Sequence, residues 1–174
     1  MSVAWFSRLY RLNEQGRFDA VVTASKKYLK ARPKDYVLHL QRARALLCLG
    51  RLEEASEHLD AAVKGSKGLA AWPWFYRAAL HARSGAREAM YGAITTTLRL
   101  DPKLVSEFEK SPFFAAHWAS RPFRALLISR SARPGSAAPK DRPASSPRAA
   151  KSRRAPAARG RTRAGASARR RGGA

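Results

Sequence analysis

The side chains able to do chemistry in this chain are few and stand apart. Four histidines, His39, His58, His81 and His117, are scattered along the sequence. None has a second ligand at the i, i+4 spacing, with a carboxylate between, by which a helix offers two imidazoles to a metal. They read as structural or surface histidines. The single cysteine, Cys48, rules out an internal disulfide framework and a cysteine metal cage. No nucleophile signature surrounds it, so a small packing residue is expected. Glu53, Glu54, Glu57 and Asp60 form an acidic stretch, best placed at the positive N-terminal end of a helix. No glycine-rich phosphate loop falls between a strand and a helix; the Arg-Gly-Gly run at 171–173 lies near the end of the chain. A catalytic site needs an acid, base or nucleophile held in a shaped pocket. These residues do not supply one, and the expectation is a protein that is not an enzyme and holds no metal or cofactor.

The cations are the other reactive population. Lys and Arg number 35 against 12 Asp and Glu, a formal net charge of +23. Residues 129–174 carry 14 of these cations and one acid, Asp141. The clusters include Arg153 and Arg154, then Arg159, Arg161 and Arg163, then Arg169, Arg170 and Arg171. Such a field draws polyanions without choosing among them. Two readings of this segment stand. One is a basic arm that holds DNA or RNA non-specifically by releasing counterions. The other is a solubilising extension whose Ala, Arg, Gly and Pro reflect only codon bias. Prolines and glycines are interspersed, aromatic residues are absent and no apolar face forms, so the segment is expected to be disordered.

The elements that would position a site come from a repeat. Gly16, Gly50 and Gly85 are separated by 34 and 35 residues. Apolar residues recur at helical spacing before each glycine: Trp5, Leu9 and Leu12; Leu40, Ala43, Leu46 and Leu47; Trp74, Ala78 and Ala82. A second amphipathic run follows each one: Phe18, Val21 and Val22; Leu52, Ala55, Leu59 and Ala62; Met90, Ile94 and Leu98. Pro33 and Pro102 lie at the same distance past their glycines, where a helix should stop. Lys67 takes that slot in the middle unit, with Gly65 and Gly68 beside it as breakers. Helix, glycine turn, helix, three times over, predicts an all-α chain.

This arrangement resembles the tetratricopeptide repeat family, whose unit is 34 residues long. The matching pieces are Trp5 with Gly16-Arg17-Phe18-Asp19-Ala20, then Ala43 and Ala45 with Gly50-Arg51-Leu52-Glu53-Glu54-Ala55. The third unit gives Trp74 and Ala78 with Gly85-Ala86-Arg87-Glu88-Ala89, closing on Leu98-Arg99-Leu100-Asp101-Pro102. Leu9, His39 and Arg87 depart from the family's small, tryptophan and aromatic positions. The resemblance implies three antiparallel helix-pair repeats, at about 2–35, 36–69 and 70–102, forming a short right-handed superhelix. Residues 103–128 would cap it. Their Ser111-Pro112-Phe113-Phe114 and Arg121-Pro122-Phe123 are similar to the ending of many bacterial proteins of this kind, and their aromatics should pack on the last repeat helix.

The resemblance also implies a concave wall built from the first helix of each pair, binding a peptide or protein partner as an adaptor or scaffold. Its inward residues would be Phe6, Tyr10, Asn13 and Glu14, then Leu40, Arg44, Leu47 and Cys48, then Trp72, Phe75 and Arg83. Phe6 and Tyr10 stand where clamp-type members carry Lys and Asn, so a carboxylate clamp is not expected there. A second copy of the chain could cover the same apolar wall. The N-terminus does not read as a secretion signal and no stretch approaches a membrane span, so a soluble, cytoplasmic protein is expected.

Overall fold

In a computed structural model the described residues, 4–131, are helical. Six helices come first: α1 (Ala4–Glu14), α2 (Phe18–Ala31), α3 (Tyr36–Cys48), α4 (Leu52–Gly65), α5 (Ala71–Ser84) and α6 (Arg87–Leu100). Short 3₁₀ turns at Pro102–Leu104 and Pro112–His117 then flank α7 (Val105–Lys110), and α8 (Arg121–Ser131) follows. Successive helices pack as antiparallel pairs. The expected end of order at residue 128 falls three residues short of the end of α8. The basic segment that follows, including every tail arginine named above, lies outside the described residues.

The three phased glycines end α1, α3 and α5 in the same way. Gly16, Gly50 and Gly85 take φ of +69°, +77° and +77°. The next amide in each case reaches back to a carbonyl of the last helical turn: Arg17 to Leu12, Arg51 to Leu46 and Ala86 to His81, at 2.9–3.0 Å. This pattern satisfies helix-end carbonyls and needs a left-handed residue. At the far end of α4, Lys67 itself is left-handed (φ 53°), followed by Gly68. Gly65 serves a different need: a Cβ there would stand 2.9 Å from that of Tyr36. Asp35 starts α3, its Oδ1 accepting from the amides of Val37 (3.1 Å) and Leu38 (3.4 Å).

The core forms two clusters. The smaller gathers Leu9, Val21, Leu38 and Ala45 from α1, α2 and α3. The larger runs from α3 to α8. Phe108, Phe114 and Phe123 are fully buried in it. These cap aromatics do not rest on α6 alone. Phe75 of α5 meets Phe108 at 4.7 Å and Phe114 at 5.6 Å between ring centroids. Ser111 precedes the second 3₁₀ turn, and its side chain makes no capping bond.

Candidate functional site

The odd-numbered helices α1, α3 and α5 lie side by side because each is followed by a glycine turn that folds its partner back. Their shared face, closed at one end by α7 and the segment after it, encloses a groove of about 1100 Å³. Helical spacing decides what reaches it. From α1 come Phe6, Tyr10 and Glu14, four residues apart; from α3 come Tyr36, Leu40, Arg44 and Cys48, again four apart. Helix α5 gives Trp72, Phe75, Tyr76 and Arg83, and the cap adds Lys110 and Phe113.

The apolar part is aromatic and open. Phe6, Tyr10 and Trp72 are 37%, 47% and 41% exposed, which for side chains of this size leaves a large apolar area to water. Phe6 stacks on Tyr10 at 6.0 Å, and Trp72 meets Phe75 edge-on at 5.3 Å. The polar part is held in place. Arg44 donates to Glu14 at 2.7 Å, and Arg83 donates to the Leu47 carbonyl at 2.8 Å. Cys48 sits under the influence of both guanidinium groups; burial pushes its thiol up, against their pull. Burial likewise pushes the Tyr76 hydroxyl up to about 12. The arrangement sets aromatic surface beside two guanidinium groups held in place by hydrogen bonds.

Of the residues expected here, Phe6, Tyr10, Leu40, Arg44, Trp72, Phe75 and Arg83 line the groove, with Glu14 and Cys48. Two do not. Leu47 is fully buried in the larger core, because it stands one position before the groove stripe of α3. Asn13 is 3% exposed and donates to Gln41 Oε1 at 2.9 Å, tying α1 to α3. Phe75, only 3% exposed, belongs mainly to the cap interface and forms the groove's floor. Sequence reasoning missed Tyr36 and Tyr76. Each lies four residues from a named lining residue, Leu40 and Trp72, and that spacing was the available signal.

The histidines are not all apart. His39 on α3 and His58 on α4 face each other with their Nδ1 atoms 2.9 Å apart. Arg42 Nε donates to His58 Nε2 at 2.8 Å. Its Nη1 donates to the Val22 carbonyl and to Ser25 Oγ on α2. This network lies between helices α2, α3 and α4, and none of its members lines the groove. Among the described residues no group of three or more His, Cys, Asp or Glu is placed to hold a metal ion. No helix there is long and apolar enough to cross a membrane.

No protein-family model matches the chain, and no curated protein and no solved structure matches it either.

Proposed function

We propose that residues 4–131 form a non-catalytic interaction module of the tetratricopeptide type, which takes a peptide or protein segment in the groove between α1, α3 and α5. One observation carries this reading. Of the six large hydrophobic side chains exposed among the described residues, three (Phe6, Tyr10 and Trp72) line this single groove. Scattered exposed apolar residues need no explanation, but a convergent set beside ordered arginines does. An apolar anchor would occupy the aromatic surface, with an acidic group beside Arg44 and Arg83.

A random peptide library selected on the protein tests this. Sequences with aromatic or aliphatic anchors and an Asp or Glu nearby are expected. Tyr10→Ala with Trp72→Ala should weaken the selected peptides by about 10- to 100-fold at unchanged helicity. If nothing is selected, or if the variant binds equally well, the groove is not the working site. A second copy of the chain is the other candidate occupant; sedimentation at increasing concentration would reveal it, and the same variant should then remain monomeric.

A second reading rests on the charge of residues 129–174, with 14 cations against one acid. In it, Arg153, Arg154, Arg159, Arg161, Arg163 and Arg169–Arg171 hold DNA or RNA non-specifically. Truncation after Ser131, which keeps α8 whole, should weaken retention on nucleic acid; undiminished retention removes this reading.

A further inference from the structure

Helix α1 divides its charges between two faces. Phe6, Tyr10 and Glu14 turn to the groove. Arg8, Arg11 and Gln15, spaced by three and four residues, turn to the other side. There, with Arg17 from the turn and Ala20 from α2, they line a shallow cleft of about 730 Å³. Its three arginines are exposed and its lining contains no carboxylate.

Among the described residues these guanidinium groups make no ion pair. The ion pairs among the described residues engage Arg32, Arg44, Arg51 and Arg77 instead. Glu14, three residues from Arg11, is turned away to Arg44, and Asp19 is not part of the cleft lining. Three like charges therefore share one concavity with no ion pair to a described residue and no carboxylate in its lining, and an anion with several separated charges relieves their repulsion. The basic surface continues along α2: Lys27, seven residues beyond Ala20 and so on the same helical face, is exposed as well.

The lining selects among polyanions. A firmly held bilayer site adds large apolar side chains that insert beside the cations. Here the largest apolar residue is the half-buried Leu12, and the walls are Ala4 and Ala20. No aromatic ring lines the cleft to stack on a base. What remains is contact with a chain of phosphates, which arginine serves well through its fork of donors. The net charge of +23 concentrates such chains around the protein. We infer that the cleft of Arg8, Arg11 and Arg17 binds the phosphodiester backbone of nucleic acid, without sequence preference, as a site within the folded domain separate from both the groove and the basic tail.

The test uses the full chain, with fluorescence anisotropy of a labelled oligouridylate across a salt series. Arg8→Gln, Arg11→Gln and Arg17→Gln together should lower affinity about tenfold or more near 0.1 M salt. The slope of log affinity against log salt should fall by about 2, for three phosphates at about 0.7 each. A control full chain with Lys64, Arg87 and Arg99 changed to Gln has the same net charge and exposed sites elsewhere; its slope should match that of the unaltered chain. Trp72→Ala should also leave oligouridylate binding unchanged, which keeps this result separate from the groove. If the triple variant loses helicity, the single variants Arg11→Gln and Arg17→Gln carry the same test, each with about a third of the slope change. Equal losses in the cleft and control variants, or no loss in the cleft variant, would overturn the proposal, leaving net charge or the tail as the sole binder. So would a cleft variant that loses affinity for phosphatidylserine vesicles or polyglutamate but keeps it for oligouridylate.

Discussion

Both ring nitrogens of His58 are committed. Its Nε2 accepts from Arg42, so the neutral ring carries its proton on Nδ1 and donates it to His39 Nδ1. His39 in turn donates from Nε2 to the Pro33 carbonyl at 2.9 Å. A second proton on His58 would set one N–H against that of Arg42. Burial first, then the charge of Arg42, hold His58 down at about 4, against 6.5 for a free ring. Between those two values the unfolded chain binds more protons than the folded one, so this contribution to stability is complete above pH 6.5 and is lost as pH falls towards 4. Melting temperature should therefore decline from pH 7 to pH 5. In His58→Gln, whose amide can still bridge Arg42 and His39, that decline should be shallower. Parallel profiles for the two proteins would show that the pair does not carry the effect. Residue identity alone revealed none of this, since His39 and His58 are 19 positions apart and meet only when α4 folds back on α3.

Among the elements, the helix ends were the most legible part. Glycine spacing located all three turns because a left-handed residue at a helix C-terminus is cheapest without a Cβ. Nothing lies within 4 Å of a Cβ built on Gly50, so Gly50→Ala tests the backbone term by itself. It should cost about 1–2 kcal/mol, read by chemical denaturation. Lys67 is the converse case, a side-chain-bearing residue already at φ 53°. Lys67→Gly should stabilise the protein, by up to about 1 kcal/mol. Opposite signs at the two positions are the expected outcome; a stabilising Gly50→Ala would refute the argument. The cap was less legible. Its proline and phenylalanine pattern marked a helical cover, but not that Phe108 and Phe114 would seat against Phe75 on α5. Hydrophobicity marks burial, whereas the partner depends on how the chain returns.

At the scale of the whole domain, packing is uneven. The larger cluster joins α3 through α8, while α1 is held by the smaller one, in which Leu9 is its one fully buried apolar residue. Asn13 adds two hydrogen bonds to Gln41 but leaves its Oδ1 without a partner, so this polar contact is not fully satisfied. The domain should open from its N-terminal end. Amide hydrogen exchange is expected to be faster throughout α1 than in α5 and α6. Uniform protection across these helices would contradict a weakly held first helix. Such an end helix, lining the groove on one side and the arginine cleft on the other, is also the element whose order a bound partner would most increase.

Sequence by itself determined the helical class and the three phased turns. These depend on local dihedral preference and on periodicity within a single helix. The resemblance to tetratricopeptide repeats placed Phe6, Tyr10, Arg44, Trp72 and Arg83 on an inward wall, and these residues do line one groove. Only tertiary structure decided that Leu47 and Asn13 turn inwards, that Phe75 serves the cap and that His39 meets His58. It alone set Arg8, Arg11 and Arg17 in one concavity. Each of those outcomes depends on where a second helix lies, and helix–helix placement follows from the packing of many side chains at once rather than from the spacing of any few.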